Sequence, residues 1–170
     1  MLKVDVGNPP VAPGRSGALT AARVLLAFLG LAALGGGLTM MGDPSGSLIG
    51  MPAEWMARVP LLDDWLVPGL VLAIWFGLGS LLTLAGMTWR FELMGTRWLQ
   101  RWGGGRHWSW AATVVLGITQ VAWIGVELLL LPETIWVQAL MAAVGALMAV
   151  LMFFPGARRA LVPQAAPAQR

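Results

Sequence analysis

No cysteine occurs among the 170 residues, and His107 is the only histidine. Without cysteine there is no disulfide, no thiolate metal site and none of the dithiol redox chemistry carried by some four-helix membrane enzymes. A single histidine cannot supply both axial ligands of a b-type haem. Charge is scarce too: Asp, Glu, Lys and Arg make up 11% of the chain, against about 25% in soluble domains. GxSxG, a phosphate-binding loop, a dinucleotide fingerprint and an aspartate-rich metal motif are all missing. No catalytic residue, metal ligand or cofactor is therefore expected. Catalysis would have to rest on Glu127, Asp43 or other carboxylates alone, so the chain is read as non-enzymatic.

What the chain has in abundance is apolar surface, 58% of its residues, in long runs without alternation. Lipid offers the backbone no hydrogen bonds, which restricts spanning structure to helices and closed barrels that satisfy every group internally, and unalternating runs read as helices. About twenty residues rising about 1.5 Å each cross a hydrocarbon core of about 30 Å. The predicted fold is an all-α, antiparallel bundle of four transmembrane helices, spanning about 18–42, 65–89, 110–131 and 135–154. Flexible tails are expected at 1–17 and 155–170, since both are rich in residues that neither nucleate a helix nor build a core. Arg15 and Arg23 precede the first apolar run as in a signal peptide, but no small-x-small cleavage site follows, and a retained span is expected.

Between the first two spans, Asp43-Pro44-Ser45-Gly46 reads as a turn. Met51, Trp55 and Val59, with the pair Glu54 and Arg58, predict a short helix lying on the membrane surface. Asp63 and Asp64 are placed to cap the second span. Beyond it, Phe91, Met94, Trp98 and Trp102 share a helical face, predicting an amphipathic continuation that ends at Gly103-Gly104-Gly105. The short Pro132-Glu133-Thr134 connection makes the last two spans antiparallel neighbours.

Orientation follows from arginine and lysine, which are retained on the cytoplasmic side of short loops. With these spans, Arg58 is the one basic residue on the outer side, so both termini are expected in the cytoplasm, in a bacterial inner membrane. Trp65 and Trp136 are expected in the outer aromatic belt, and Trp89, Trp108 and Trp110 in the inner one. The sequence pI of about 11.1 is thereby read as cytoplasmic arginine rather than a nucleic-acid surface.

Glu127 stands out because carboxylates inside a span are uncommon. At 100° per residue it shares one face with Thr113, Gly117, Gln120 and Ile124, a face expected to point into the bundle. Glu127 and Gln120 are the candidates for a ligand or proton site. The structural alternative has Glu127 bonded to the loop or to Arg58, with Glu127→Leu then costing little, and Gln120 holding helices together. Arg97, Arg101 and Arg106 are candidates for anionic lipid headgroups. Small-residue seams run along Gly69, Ala73, Gly77, Ser80 and Thr83 and along Ala139, Ala143 and Ala146, and both are read as internal packing, with self-association or partner binding as the alternative. Gly35-Gly36-Gly37 suits close packing or, alternatively, an unwound segment lining a cavity.

The stretch Gly42–Pro52 (GDPSGSLIGMP), with Val67-Pro68-Gly69-Leu70 and Trp108-Ser109-Trp110, resembles small bacterial four-helix membrane proteins, commonest among actinobacteria, that have no assigned activity. The resemblance implies the helix count and topology and no site residues. The expected function is that of an accessory or interaction protein acting through helix–helix or lipid contacts, with membrane lipids, a membrane-protein partner or a second copy as partners. The alternative is a small oligomeric proton-coupled transporter using Glu127.

Overall fold

The computed structural model describes residues 16–59 and 62–162. The expected tails therefore fall largely outside the described residues, as does the Arg58 side chain. Helix α1 is Gly17–Gly42, α2 is Leu66–Trp89, α3 is Arg97–Trp102, α4 is Trp108–Leu130, α5 is Trp136–Leu151 and α6 is Pro155–Ala160. A 3₁₀ turn covers Ala53–Arg58. There is no strand among the described residues. Helices α1, α2 and α4 are long and apolar enough to cross a membrane, and α5 is apolar but shorter, at 16 residues. Their outward faces carry Val24, Leu31, Ile74, Leu82, Ile118 and Leu147, all exposed, a surface unsuited to water.

Close approach between α1 and α2 is set by glycine. A Cβ on Gly37 would stand 2.6 Å from both the Gly69 carbonyl oxygen and Ala73 N, and one on Gly69 would stand 2.8 Å from Met40 Cβ. The expected seam on the second span thus packs internally, and α1 runs unbroken through Gly35–Gly37. The irregularity lies opposite, where Leu72–Leu78 of α2 winds as a π-helix. Helix α4 crosses α5 at Gly117 and Gly145. Ala139, Ala143 and Ala146 are exposed, contrary to the internal seam expected of them. Helix α5 turns Gln138, Val144, Gly145 and Met148 inward instead, with Gly145 set against Gly117 of α4, where neither has room for a Cβ.

Several ends differ from expectation. Arg90 adopts the left-handed conformation at φ 57° and stops α2. The amphipathic continuation is therefore broken, and only Arg97–Trp102 is helical beyond it. Helix α5 stops at Leu151, and Pro155, set at the first turn of a new helix where its missing N–H costs nothing, begins α6. The segment 155–162 is not a free tail: Ala157 and Leu161 are fully buried, the Leu161 carbonyl accepts from His107 N at 2.8 Å, and the Arg90 guanidinium donates to the Ala160 carbonyl. The packing of Ala157 and Leu161 stabilises a segment whose composition reads as disordered.

Trp65, Trp108 and Trp110 are buried rather than in a belt, whereas Trp89 and Trp136 are exposed. Trp108 fits here because its ring lies against Gly86, where a Cβ would come within 2.1 Å of it. Trp110 Nε1 donates to the Met152 carbonyl at 2.7 Å, satisfying a carbonyl left over at the end of α5.

The loop after α1 is built on Asp43. Its carboxylate accepts from the Ser45 hydroxyl at 2.5 Å, the Ser47 hydroxyl at 2.7 Å and Leu48 N at 2.8 Å. These bonds, that of Ser45 foremost, hold its pKa down at about 2. Gly46, at φ 78°, lies under the Trp65 ring, a position and conformation that exclude a side chain. The 3₁₀ turn folds back so that Met56 packs with Trp65 and Met40, and Asp64 Oδ1 accepts from Leu66 N at 2.9 Å at the start of α2.

Candidate functional site

The bundle is tight at one end and open at the other. Around Met87, Trp110, Val114, Met148 and Met152 it is fully packed. Toward the loop of Asp43, α1 and α2 part from α4 and α5 and leave a cavity of about 350 Å³. Its walls are mostly apolar, among them Leu29, Ala33, Met40, Ile49 and Met141. Gln120, Trp123, Glu127 and Gln138 supply the polar groups. A second cavity of about 120 Å³ lies on the other side of Trp123 and Glu127, beneath Met56 and Trp65.

The expected inward stripe of the third span is present. Thr113 is fully buried and donates to the Ser109 carbonyl at 2.7 Å, and Gly117 packs on α5. Gln120 and Ile124 are buried and Glu127 is half-buried. The Glu127 carboxylate accepts from Trp123 Nε1 at 2.5 Å and from Gln138 Nε2 at 3.3 Å. Gln138 is itself fixed, because its Oε1 accepts from Ile135 N at 3.1 Å at the start of α5. A carboxylate has about four lone-pair positions, so two bonds leave it further capacity. No described cationic side chain pairs with it.

Gln120 is 5% exposed, and its stem passes across Gly145, where any Cβ would stand 2.9 Å from Gln120 Cβ. Its amide bonds to no described side chain and faces the cavity. It therefore does not tie helices together through hydrogen bonds, as the structural alternative expects. Gln138 and Trp123, which complete the site, were not singled out from the sequence; the signal was their placement, four residues before Glu127 for Trp123 and at the first turn of the next helix for Gln138.

The arginine candidates divide. Arg97 and Arg101 lie exposed on α3, beside exposed Trp98 and Trp102. Arg106 folds away from them, donating through Nη1 to the Gly103 carbonyl at 2.5 Å with its guanidinium 5.0 Å from the Trp110 ring centroid. Helix termination at Gly103 and this cation–π contact account for its position. Arg106, Arg158 and Arg159 line a separate recess.

His107 is buried at 4% exposure and caps α4. Ser109 N–H points at Nδ1 from 3.4 Å and the Ser109 hydroxyl lies 2.8 Å away. Nδ1 is thus the acceptor, which assigns the proton to Nε2, and Nε2 donates to the Phe91 carbonyl at 3.1 Å. Trp108 Nε1 donates to the same carbonyl at 2.9 Å. Burial pushes the His107 pKa below its ordinary value, outweighing the Phe91 bond and nearby Glu92, which raise it.

No family model, curated protein or solved structure matches the chain. Its chemistry has to be argued from these side chains alone. Among the described residues, no group of three or more histidines and carboxylates could hold a metal.

Proposed function

We propose that the protein is a four-span integral membrane protein of a bacterial inner membrane, with both termini cytoplasmic, acting as an accessory or interaction protein through helix–helix and lipid contacts. The fourth span is supported by the pairing of α5 with α4. Gln138 of α5 bonds Glu127 near one end of α4, and Met152 bonds Trp110 near the other. Helix α5 thus covers the same depth as residues 110–127 of α4. Orientation is supported by charge: Arg97, Arg101, Arg158 and Arg159 are exposed at the end to which α3 and α6 belong, and Asp43, Glu54, Asp63 and Glu133 lie in the loops at the other.

The outward stripe of Ala139, Ala143 and Ala146 carries the functional reading. Internal packing of α5 is already supplied by Gly145, so these alanines leave a second smooth face on which another helix can approach closely. Crosslinking from Ala143→Cys in native membranes tests it. One stable heterologous partner, crosslinked equally from Ala139→Cys and lost from Ala139→Cys when Ala143→Leu is added, is the expected result, and no crosslinked species from either membranes or detergent extract overturns the proposal.

A second reading, a small oligomeric transporter coupled to protons, is favoured by the cavity at Glu127. It requires a homodimer together with proton-dependent flux in liposomes, and Glu127→Gln must abolish that flux while the amount of inserted protein stays unchanged.

A further inference from the structure

Three features of the cavity define what fits it. Its walls are apolar over most of their area, formed by leucine, isoleucine, alanine and methionine from α1, α4, α5 and the first loop. Methionine side chains such as Met40, Met51 and Met141 adapt to varied shapes. At one end the Glu127 carboxylate is held by Trp123 and Gln138 with lone pairs to spare. At the other, Gln120, 5% exposed and without a hydrogen-bond partner among the described residues, presents an amide. Seven residues of helix separate the two, a rise of about 10 Å.

We propose that this cavity is a binding site for an elongated amphiphilic amine, its ammonium at Glu127, its alkyl body along the apolar walls and a second polar group at Gln120. An ammonium donates where the two protein donors leave the carboxylate free and neutralises it away from bulk water. A hydroxyl or amide at the far end bonds the Gln120 side chain, which lines the cavity and has no hydrogen-bond partner among the described residues. An anionic or wholly apolar ligand meets neither requirement. This deepens the reading of Glu127 as a cation site but requires no transport, so a protein that binds and does not move its ligand leaves the inference intact.

The test is equilibrium binding to the full chain in nanodiscs of neutral lipid, with empty nanodiscs subtracted for partitioning. The probes are ω-aminodecanol, decylamine, decanol and decanoate. Expected are saturable binding of the two amines, tighter for ω-aminodecanol, and none of decanol or decanoate. Glu127→Gln should weaken both amines by roughly tenfold or more, the worth of one charge-assisted bond. Gln120→Leu should leave decylamine unchanged and remove the preference for ω-aminodecanol. Gly36→Leu places an apolar side chain in the cavity while leaving both polar residues in place, its Cβ meeting only Leu72, at 3.7 Å, and it should abolish binding of both amines. Each variant is scored once its thermal unfolding shows it fully folded at the assay temperature. Equal partitioning of all four probes, or undiminished amine binding by well-folded Glu127→Gln or Gly36→Leu, overturns the proposal.

Discussion

Gln138 at the start of α5 donates to the carboxylate of Glu127 near the end of α4, at 3.3 Å, while Trp123 Nε1 donates to the other oxygen at 2.5 Å. Two donors thus depend on one side chain. Glu127→Gln keeps an oxygen for Trp123 and loses about one bond, about 1 kcal/mol. Glu127→Leu strands both donors in apolar surroundings and should cost on the order of 2–4 kcal/mol. This reverses the expectation from sequence that leucine is harmless there. Thermal unfolding in detergent checks the ranking, and a leucine variant as stable as the parent would contradict it.

The crossing of α4 and α5 is equally specific. A Cβ on Gly117 would stand 2.5 Å from the Gly145 carbonyl oxygen, and one on Gly145 2.8 Å from that of Gly117. Alanine at either should force the helices apart at a cost of roughly 1–3 kcal/mol. Gly125, where a Cβ meets nothing within 4 Å, is the control: alanine there should be neutral or slightly stabilising in the same unfolding assay.

Stability should depend on pH through His107. Its folded pKa lies below the ordinary 6.5, so the unfolded chain takes up the proton first. The contribution is complete above about pH 6.5 and is lost as pH falls from there toward the folded value. Asp43, lowered from 3.8 to about 2, has a separate window: its contribution holds above 3.8 and fades toward 2. His107→Asn, which can still cap a helix, should flatten the upper window and leave the lower one. A wild-type melting temperature constant from pH 7.5 to pH 5 would refute the assignment.

Topology can be read by single-cysteine labelling, because the chain has no native cysteine to remove. Cysteine at exposed Thr134 should react with an impermeant reagent in intact cells, and cysteine at exposed Met94 only after permeabilisation. Met94 is preferable to Gly104, whose φ of 65° makes a cysteine there strained. Labelling of Met94→Cys in intact cells would refute the proposed orientation.

Long helices and their ends near Gly42 and Trp89 were legible because apolar runs, Asp43-Pro44 and Asp64 act locally. The inward stripe of α4 was legible because periodicity fixes which residues share a face. The face α5 buries was not, since both its alanine stripe and its Gly145 side permit close contact and only the partner helix decides. The burial of His107 and Leu161 depends on a contact between segments more than fifty residues apart, which no local pattern encodes. Gln120 and Glu127 were visible as polar residues in a span. The space between them was not, because a cavity is a property of how helices diverge.

The π-helical stretch Leu72–Leu78 also sets how the chain tolerates a change of length. A π-helical turn is wider than an α-helical one and accommodates about one surplus residue while the helix on either side keeps its facing. Losing one residue from 72–78 should let α2 rewind as a regular helix, with Gly69 still against Gly37 and Thr83 still inward. The same loss from α1, regular throughout, would turn everything beyond it by about 100° and carry Gly37 off its partner. Of the two helices in this close contact, only one has length to spare.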